Sequence, residues 1–403
     1  MAARFPDDSR RIRVGRSFNG GYESGRRLQL WPVGLESLPL LRSTAPVPAR
    51  LVLLTIMGSA VAVLSYSCAM SDRVEGIGGT AAPQQFERVF GDLEREPHHD
   101  LNGVIVVRRD AIVAERYFNG EGPESLHDIR SATKSITAIL AGIAIDRHVI
   151  KSVQEPLTAL VPGLTPDKAA IRLEDLLTMR SGLAADDDNP RSPGNEDLMD
   201  QSDSWMAFAR GVPLETAPGG RYLYCSLNAF LAGAAIETAT GQRLDAIANA
   251  WLFAPLGITQ FAWRRGPDGP VAGQGNLRLR LRDMAAVGSL MLHDGAVGGK
   301  RIVSREWVQA ALAARVPIGD VDPFADSYGY MWYTKRYARG GTAVTVHFAS
   351  GNGGNKVYVI PADRTVVAIT SSAYNTNYGQ RRSEQILLDL LSMSRPPKTQ
   401  VPQ

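Results

Sequence analysis

The sequence predicts an α+β fold: an antiparallel sheet built from strands at both ends of the chain and flanked by helices, with a mostly helical lobe inserted between the two strand groups. Three observations carry this. Two β-rich runs, residues 104–107 and 112–118, flank Arg109-Asp110 as a hairpin. Residues 343–348, 356–360 and 365–370 form a second strand group, separated by a glycine-rich turn and by Pro361-Ala362-Asp363. Between the groups, residues 173–179, 227–238 and 244–252 have helical patterns, interrupted by the acidic, proline-containing stretch 186–203.

Each element has a local reason. Residues 84–94 read as a short amphipathic helix ahead of the hairpin, and residues 383–391 as a closing helix. An apolar run at 136–145, opened by Ser131-Ala132-Thr133-Lys134, reads as a helix with the serine at its N-terminus. Serine and lysine three apart on a helix share a face. Ser131 is thereby placed where the two strand groups and the helical lobe meet, a common location for a pocket.

Composition bounds the rest. With 403 residues, 44% hydrophobic and 21% charged, the chain has ample material for one large globular domain or two smaller ones. The formal net charge of +3 arises in residues 1–50, where nine arginines face only Asp7, Asp8, Glu23 and Glu36. Such a basic tail, without a basic stripe interleaved with aromatics, predicts no nucleic-acid partner. The two cysteines, Cys68 and Cys225, exclude a disulfide framework, and Cys225 reads as a small buried residue. No metal-ligand spacing occurs around His98-His99, no H-E-x-x-H or C-x-x-C is present, and no cofactor is expected. No G-x-S-x-G elbow occurs either, which argues against an α/β-hydrolase.

Residues 51–70 carry no charge and follow the arginine-rich tail, long enough for a transmembrane anchor or a signal segment. Arginine-rich flanks stay on the cytoplasmic side, so the remainder is expected to be exported, with residues 51–70 as its membrane contact. Domain limits follow: an Arg-rich disordered tail at 1–50, the apolar segment, a linker at 71–83, one catalytic domain at 84–395 and a disordered end at 396–403.

A serine nucleophile needs a base, a proton route to the leaving group and donors for the oxyanion. The helix N-terminus beside Lys134 is expected to lower its pKa towards the neutral form that a base requires. A tyrosine in a fixed turn and a glycine-rich strand edge complete such a site. Pro218-Gly219-Gly220-Arg221-Tyr222-Leu223-Tyr224-Cys225-Ser226 precedes a helix, and Ser350-Gly351-Asn352-Gly353-Gly354 follows the strand ending at Phe348.

With these stretches, and with Leu176-Leu177-Thr178-Met179-Arg180-Ser181-Gly182-Leu183, Pro255-Leu256-Gly257-Ile258, Arg282-Asp283-Met284 and Tyr328-Gly329-Tyr330-Met331-Trp332, residues 84–395 resemble a known family. It comprises the serine hydrolases related to class C β-lactamases and D-alanyl-D-alanine peptidases, and the chain looks most like the esterase and nylon-oligomer (aminohexanoate-dimer) hydrolase branch. The resemblance implies a β-lactamase/DD-peptidase-like fold and a small ester or amide substrate. Ser131 would be the nucleophile, Lys134 its base partner, Tyr224 the second acid/base residue and Ser226 a support for the proton network. It also places Ala349-Ser350-Gly351 where β-lactamases carry K-T-G, so that the backbone amides of Asn352 and Ser131 would form the oxyanion hole.

The departure at Ala349 removes the K-T-G lysine, and with it the cation expected to help hold a β-lactam carboxylate. His347, two residues earlier, is either a partial substitute or a structural histidine. Asp186, Asp187 and Asp188 are either a site for a substrate amino group or a solvated acidic loop. The expectation is therefore hydrolysis of an ester or amide through an acyl-enzyme. Alternatives are a β-lactamase, a D-alanyl-D-alanine peptidase, or a membrane-anchored penicillin-recognising sensor with little turnover.

Overall fold

A computed structural model describes residues 82–393, all inside the compact unit Glu75–Gln403. The tail at 1–50, the apolar segment at 51–70 and the C-terminal end at 396–403 lie outside the described residues. Among those described, no helix is long and apolar enough to cross a membrane. The first helix begins at Ala82, two residues inside the predicted linker.

Seven helices matter for the site: α1 (Ala82–Glu94), α2 (Thr133–Asp146), α3 (Leu173–Leu177), α4 (Glu196–Asp200), α5 (Ser226–Thr240), α6 (Leu281–Leu292) and α7 (Gly379–Met393). The main sheet has eight strands: β1 (Leu101–Arg108), β2 (Ala111–Tyr117), β3 (Val316–Pro317), β4 (Ser327–Tyr328), β5 (Tyr333–Arg339), β6 (Thr342–Gly351), β7 (Asn355–Ile360) and β8 (Thr365–Ser371). Their spatial order is β2-β1-β8-β7-β6-β5-β4-β3. Every pairing is antiparallel.

The hairpin turn is made by Arg109 and Asp110, both in the left-handed region (φ 49° and 70°). That geometry matches the twist of the flanking strands, and Asp tolerates it better than most residues. Strand β1 then pairs with β8, Val104 opposite Ile369, so the sheet is closed by the two ends of the domain.

Strand β7 is buried at all six positions, the mark of a strand covered on both faces. Helix α6 lies against Val357 on one face, where Gly288 allows an approach that a Cβ would block at 2.7 Å from Val357 and 2.5 Å from Val366. Side chains alternate along a strand, so Lys356 faces the other way, towards α7. Strand β5 was not legible as a strand, since Tyr333-Thr334-Lys335-Arg336-Tyr337-Ala338-Arg339 has no clean apolar alternation. Pairing along β6 holds it in place, from Tyr333 opposite Phe348 to Arg339 opposite Thr342.

The α+β architecture therefore matches the expectation, with a sheet from both ends of the domain and the helical segment between. Helices α2 and α5 form the buried spine of the helical part; residues 134–144 of α2 and 226–236 of α5 are buried throughout.

Candidate active site

Ser131 lies in the 3-10 turn Arg130–Ala132, which runs directly into α2. The turn is pinned from three sides. Arg130 N–H donates to Asp128 Oδ1 at 2.8 Å, Asn276 Nδ2 donates to Asp128 Oδ2 at 3.0 Å, and the Arg130 guanidinium stacks 4.0 Å from the Tyr374 ring centroid. The end of β6 presses against the same turn. A Cβ on Gly351 would stand 2.1 Å from the Ile129 carbonyl oxygen, so only glycine fits there.

Lys134, in the first turn of α2, is 1% exposed. Its Nζ donates to Ser131 Oγ at 2.9 Å, to Ser226 Oγ at 3.0 Å and to the Gln274 carbonyl at 2.9 Å. Three acceptors match the three donors of an ammonium. Tyr224, two residues before Ser226, sets its phenol against both Ser131 and Lys134, and Lys134 Nζ lies 5.1 Å from its ring centroid. The predicted Ser131, Lys134, Tyr224 and Ser226 thus meet in one place.

The acidic stretch is only partly solvated: Asp188 is exposed, whereas Asp186 and Asp187 are half-buried. Asn195 Nδ2 donates to the carbonyls of Asp186, Asp187 and Asn189 at 3.1–3.2 Å, folding the loop back on itself. Asp187 Oδ2 then accepts from Ser226 N–H at 2.6 Å. Cys225, at the start of α5, makes no side-chain cap, so Asp187 supplies an anion to the helix N-terminus from a distant part of the chain.

This loop corrects the expectation for Lys134. Burial is the strongest single influence and pulls its pKa down, but the Tyr224 oxygen and the Glu196 and Asp187 carboxylates together outweigh it and hold the ammonium above the ordinary lysine range. The helix N-terminus is not the deciding influence. Burial pushes Asp187 and Glu196 up against the opposing pull of Lys134. Burial also raises Tyr224, although Lys134 and Ser131 pull it down.

A cavity of about 490 Å³ opens over these groups, lined by Ser131, Tyr224, Ser350, Gly351 and Asn352 among others. Asn352 is fixed by a reciprocal pair with Asn375, its Nδ2 donating to Asn375 Oδ1 at 2.6 Å and its Oδ1 accepting from Asn375 N–H at 2.8 Å. Among the described residues, neither Ser131 N–H nor Asn352 N–H has an acceptor.

Comparison with known proteins now adds to this geometry. A family model described as Beta-lactamase matches residues 87–391. The chain belongs to the beta-lactamase family. Over 320 residues it is 26% identical to the 6-aminohexanoate-dimer hydrolase of Paenarthrobacter ureafaciens, covering 74% of this chain and 80% of that protein. Among solved structures it is similar in fold to a penicillin-binding protein homologue from Caulobacter crescentus (TM-score 0.59, 16% identity, 77% of this chain and 97% of that one). An octameric penicillin-binding protein homologue from Pyrococcus abyssi is also similar (TM-score 0.57, 19% identity, 76% and 77%).

Two points about the K-T-G-like segment of this beta-lactamase-family chain become clear. His347 does not line the cavity; its Nδ1 pairs with Thr334 Oγ1 on the neighbouring strand at 2.8 Å, and burial lowers its pKa to about 4. It is a neutral structural histidine, on the face opposite Phe348 and Ser350 by strand alternation. The K-T-G lysine is absent, as expected, but another lysine reaches the cavity. Lys356 on β7 stands directly opposite Ser350 on β6, lines the cavity and donates from Nζ to Ser350 Oγ at 2.8 Å. The signal for it was a single lysine inside Asn355-Lys356-Val357-Tyr358-Val359-Ile360, an otherwise strongly apolar strand.

Proposed function

We propose that this chain is a metal-independent serine hydrolase that cleaves a small ester or amide through an acyl-enzyme on Ser131. The observation that carries the reading is the bond from Lys134 Nζ to Ser131 Oγ at 2.9 Å, with Ser226 Oγ on the same nitrogen. Ser131 Oγ attacks the carbonyl carbon while its proton passes into the Lys134 and Tyr224 pair. Because Lys134 is an ammonium at rest, the competent form is the one in which the pair has lost a proton, and the two groups titrate as a unit. The N–H groups of Ser131 and Asn352 donate to the developing oxyanion. Loss of one such donor typically costs about a hundredfold to a thousandfold in rate. Tyr224 delivers the proton to the leaving group, and the same pair then activates the water that releases the acyl group.

Kinship with a 6-aminohexanoate-dimer hydrolase supports amide as well as ester substrates. The acidic wall of the cavity, Asp188 and Asp197 beside the half-buried Asp187 and Glu196, disfavours negative charge on that side of the substrate. The reading as a β-lactamase or D-alanyl-D-alanine peptidase regains weight from Lys356, which provides a cation where Ala349 lacks one. Export of the domain through residues 51–70 remains part of the proposal and rests on sequence alone.

A fluorophosphonate probe tests the centre of the reading. Labelling should map to Ser131 and vanish in Ser131→Ala; label retained in that variant removes Ser131 as the nucleophile. A panel of nitrophenyl esters, nitrocefin, D-alanyl peptides and aminohexanoate dimer then separates the substrate classes, with rapid nitrocefin turnover favouring the β-lactamase reading.

A further inference from the structure

We propose that Gln380 and Tyr374, on the segment that joins β8 to α7, are positioning residues for the two oxyanion donors. Gln380 aims the Asn352 N–H through the Gly351–Asn352 peptide, and Tyr374 aims the Ser131 N–H through the Arg130 turn. This rests on the reading of Ser131 as nucleophile.

The Asn352 donor is set from the far end of its own peptide. Gly351 C=O accepts from Gln380 Nε2 at 2.8 Å and from Gly354 N–H at 3.2 Å. A trans peptide is planar, and its C=O and N–H point opposite ways. Fixing the carbonyl therefore fixes the Asn352 N–H, which points away from Gln380 and has no acceptor among the described residues. Gln380 itself stands on a rigid mount. A Cβ on Gly354 would lie 2.3 Å from the Gly379 carbonyl oxygen, and one on Gly379 would lie 2.5 Å from that of Gly353. The start of α7 thus meets the 353–354 turn backbone to backbone. Ser383 Oγ, the next turn along α7, donates to the Gly354 carbonyl at 2.6 Å.

The Ser131 donor is set in the same manner. Arg130 C=O accepts from Thr133 N–H, which orients the Arg130–Ser131 peptide. Arg130 is held in the left-handed region, at φ 51°, which a bulky side chain rarely adopts. Tyr374 supports that conformation twice. Its ring centroid lies 4.0 Å from the guanidinium, and its Oη donates to the carbonyl of Asp128, the residue whose Oδ1 takes the Arg130 N–H at 2.8 Å. Between Tyr374 and Gln380, Asn375 holds the Asn352 side chain. The two donors come from distant parts of the chain, and this one short segment grips the mount of each. Such donors serve a transition state only when held within about 0.5 Å of the productive geometry.

Hydrolysis of 4-nitrophenyl acetate and inhibition by phenylboronic acid, whose tetrahedral adduct on a serine oxygen needs the hole, are measured for wild type, Gln380→Met, Tyr374→Phe and Tyr374→Leu. Gln380→Met should lower kcat/KM about tenfold to a hundredfold, less than outright loss of a donor and mainly through kcat. Affinity for phenylboronic acid should fall by a similar factor, with the melting temperature close to that of wild type. Tyr374→Leu should behave likewise, and Tyr374→Phe, which keeps the ring, should lose less. Loss of kcat without loss of boronate affinity overturns the proposal, because the residues would then act elsewhere than on the tetrahedral state. Wild-type values of both also overturn it. If Tyr374→Leu does not fold, Tyr374→Phe decides for that residue. If wild type neither hydrolyses the ester nor is labelled at Ser131 by the fluorophosphonate, the hydrolase reading falls and takes this proposal with it; an active, labelled wild type with unaffected variants sinks the proposal alone.

Discussion

Two serine–lysine pairs stand at one cavity, lined by both serines and by Lys356 with Lys134 behind Ser131, and differ in almost everything except distance. Lys134 Nζ lies 2.9 Å from Ser131 Oγ, and Lys356 Nζ lies 2.8 Å from Ser350 Oγ; both lysines are almost wholly buried. Burial disfavours both ammonium forms, yet their pKa values move in opposite directions. Around Lys134 stand Tyr224, Glu196 and Asp187, whereas around Lys356 stand aromatic rings and two carboxylates already engaged elsewhere. The contact to serine is thus not what sets the charge of a buried lysine. The next ring of groups decides it, and under the proposed mechanism this sets a proton-transfer side around Lys134 apart from a recognition side around Lys356.

The largest effect that would test this division comes from deleting each lysine. Lys134→Met should lower kcat by at least about a thousandfold, as removal of one member of a cooperating catalytic set does. Lys356→Met should act mainly through KM for anionic substrates. Comparable kcat losses from both variants, measured on one neutral nitrophenyl ester, would erase the distinction.

Next in size is the effect of charge on stability. The folded chain sheds the Lys356 proton near pH 7, while the unfolded chain keeps it up to the ordinary lysine value. Stability contributed through this group should therefore rise as pH increases from about 7 towards 10, by an amount on the order of 1 kcal/mol per unit. Lys134 runs the other way: its raised pKa stabilises the fold below the ordinary lysine value, and that contribution is lost as pH rises through the folded value. Urea unfolding at pH 7, 8.5 and 10 should show a shallower rise in Lys356→Met than in wild type; an unchanged slope would contradict the assignment.

A smaller effect sharpens the proton-transfer side. Glu196→Gln removes a charge that favours the Lys134 ammonium, so the alkaline rise of kcat/KM should move to lower pH. Activity at neutral pH should increase roughly threefold to tenfold. A shift to higher pH would mean that Glu196 does not act on Lys134 through its charge. Ser350→Ala is expected to give the mildest change, a few-fold loss of the preference for anionic esters, since the lysine keeps its charge and loses one guide; the kcat/KM ratio of 4-nitrophenyl hydrogen succinate over its methyl ester measures it.

The grouping of Ser131, Lys134, Tyr224 and Ser226 was legible in the sequence, because its members sit in short motifs with local geometry. Ser131 and Lys134 share one helical turn, and Tyr224 and Ser226 share one loop leading into α5. The sequence carried the recognition side poorly, because Ser350 and Lys356 meet only through cross-strand register. Spacing along the chain does not reveal which residues stand opposite one another. His347 was open between two roles for the same reason: strand alternation turns it towards Thr334, and only the placement of β5 reveals that partner. The acidic stretch read as open loop or substrate site, and Asn195, whose single amide holds three carbonyls, was the unread feature that folds it inward.

The pairing of β1 with β8 bears on how the enzyme comes into being. Arg108 on β1 and its neighbour Thr365 on β8 are 257 positions apart. At ribosomal rates of about 5–20 residues per second, the hairpin waits roughly 10–50 s for its partner strand to be made. The helical segment, by contrast, is finished while that strand is still untranslated. The strand end that completes the cavity, Ser350 to Asn352, also emerges late. Nascent chains halted near residue 340 should be inert towards the fluorophosphonate probe, so that competence is acquired only after most of the domain has been synthesised.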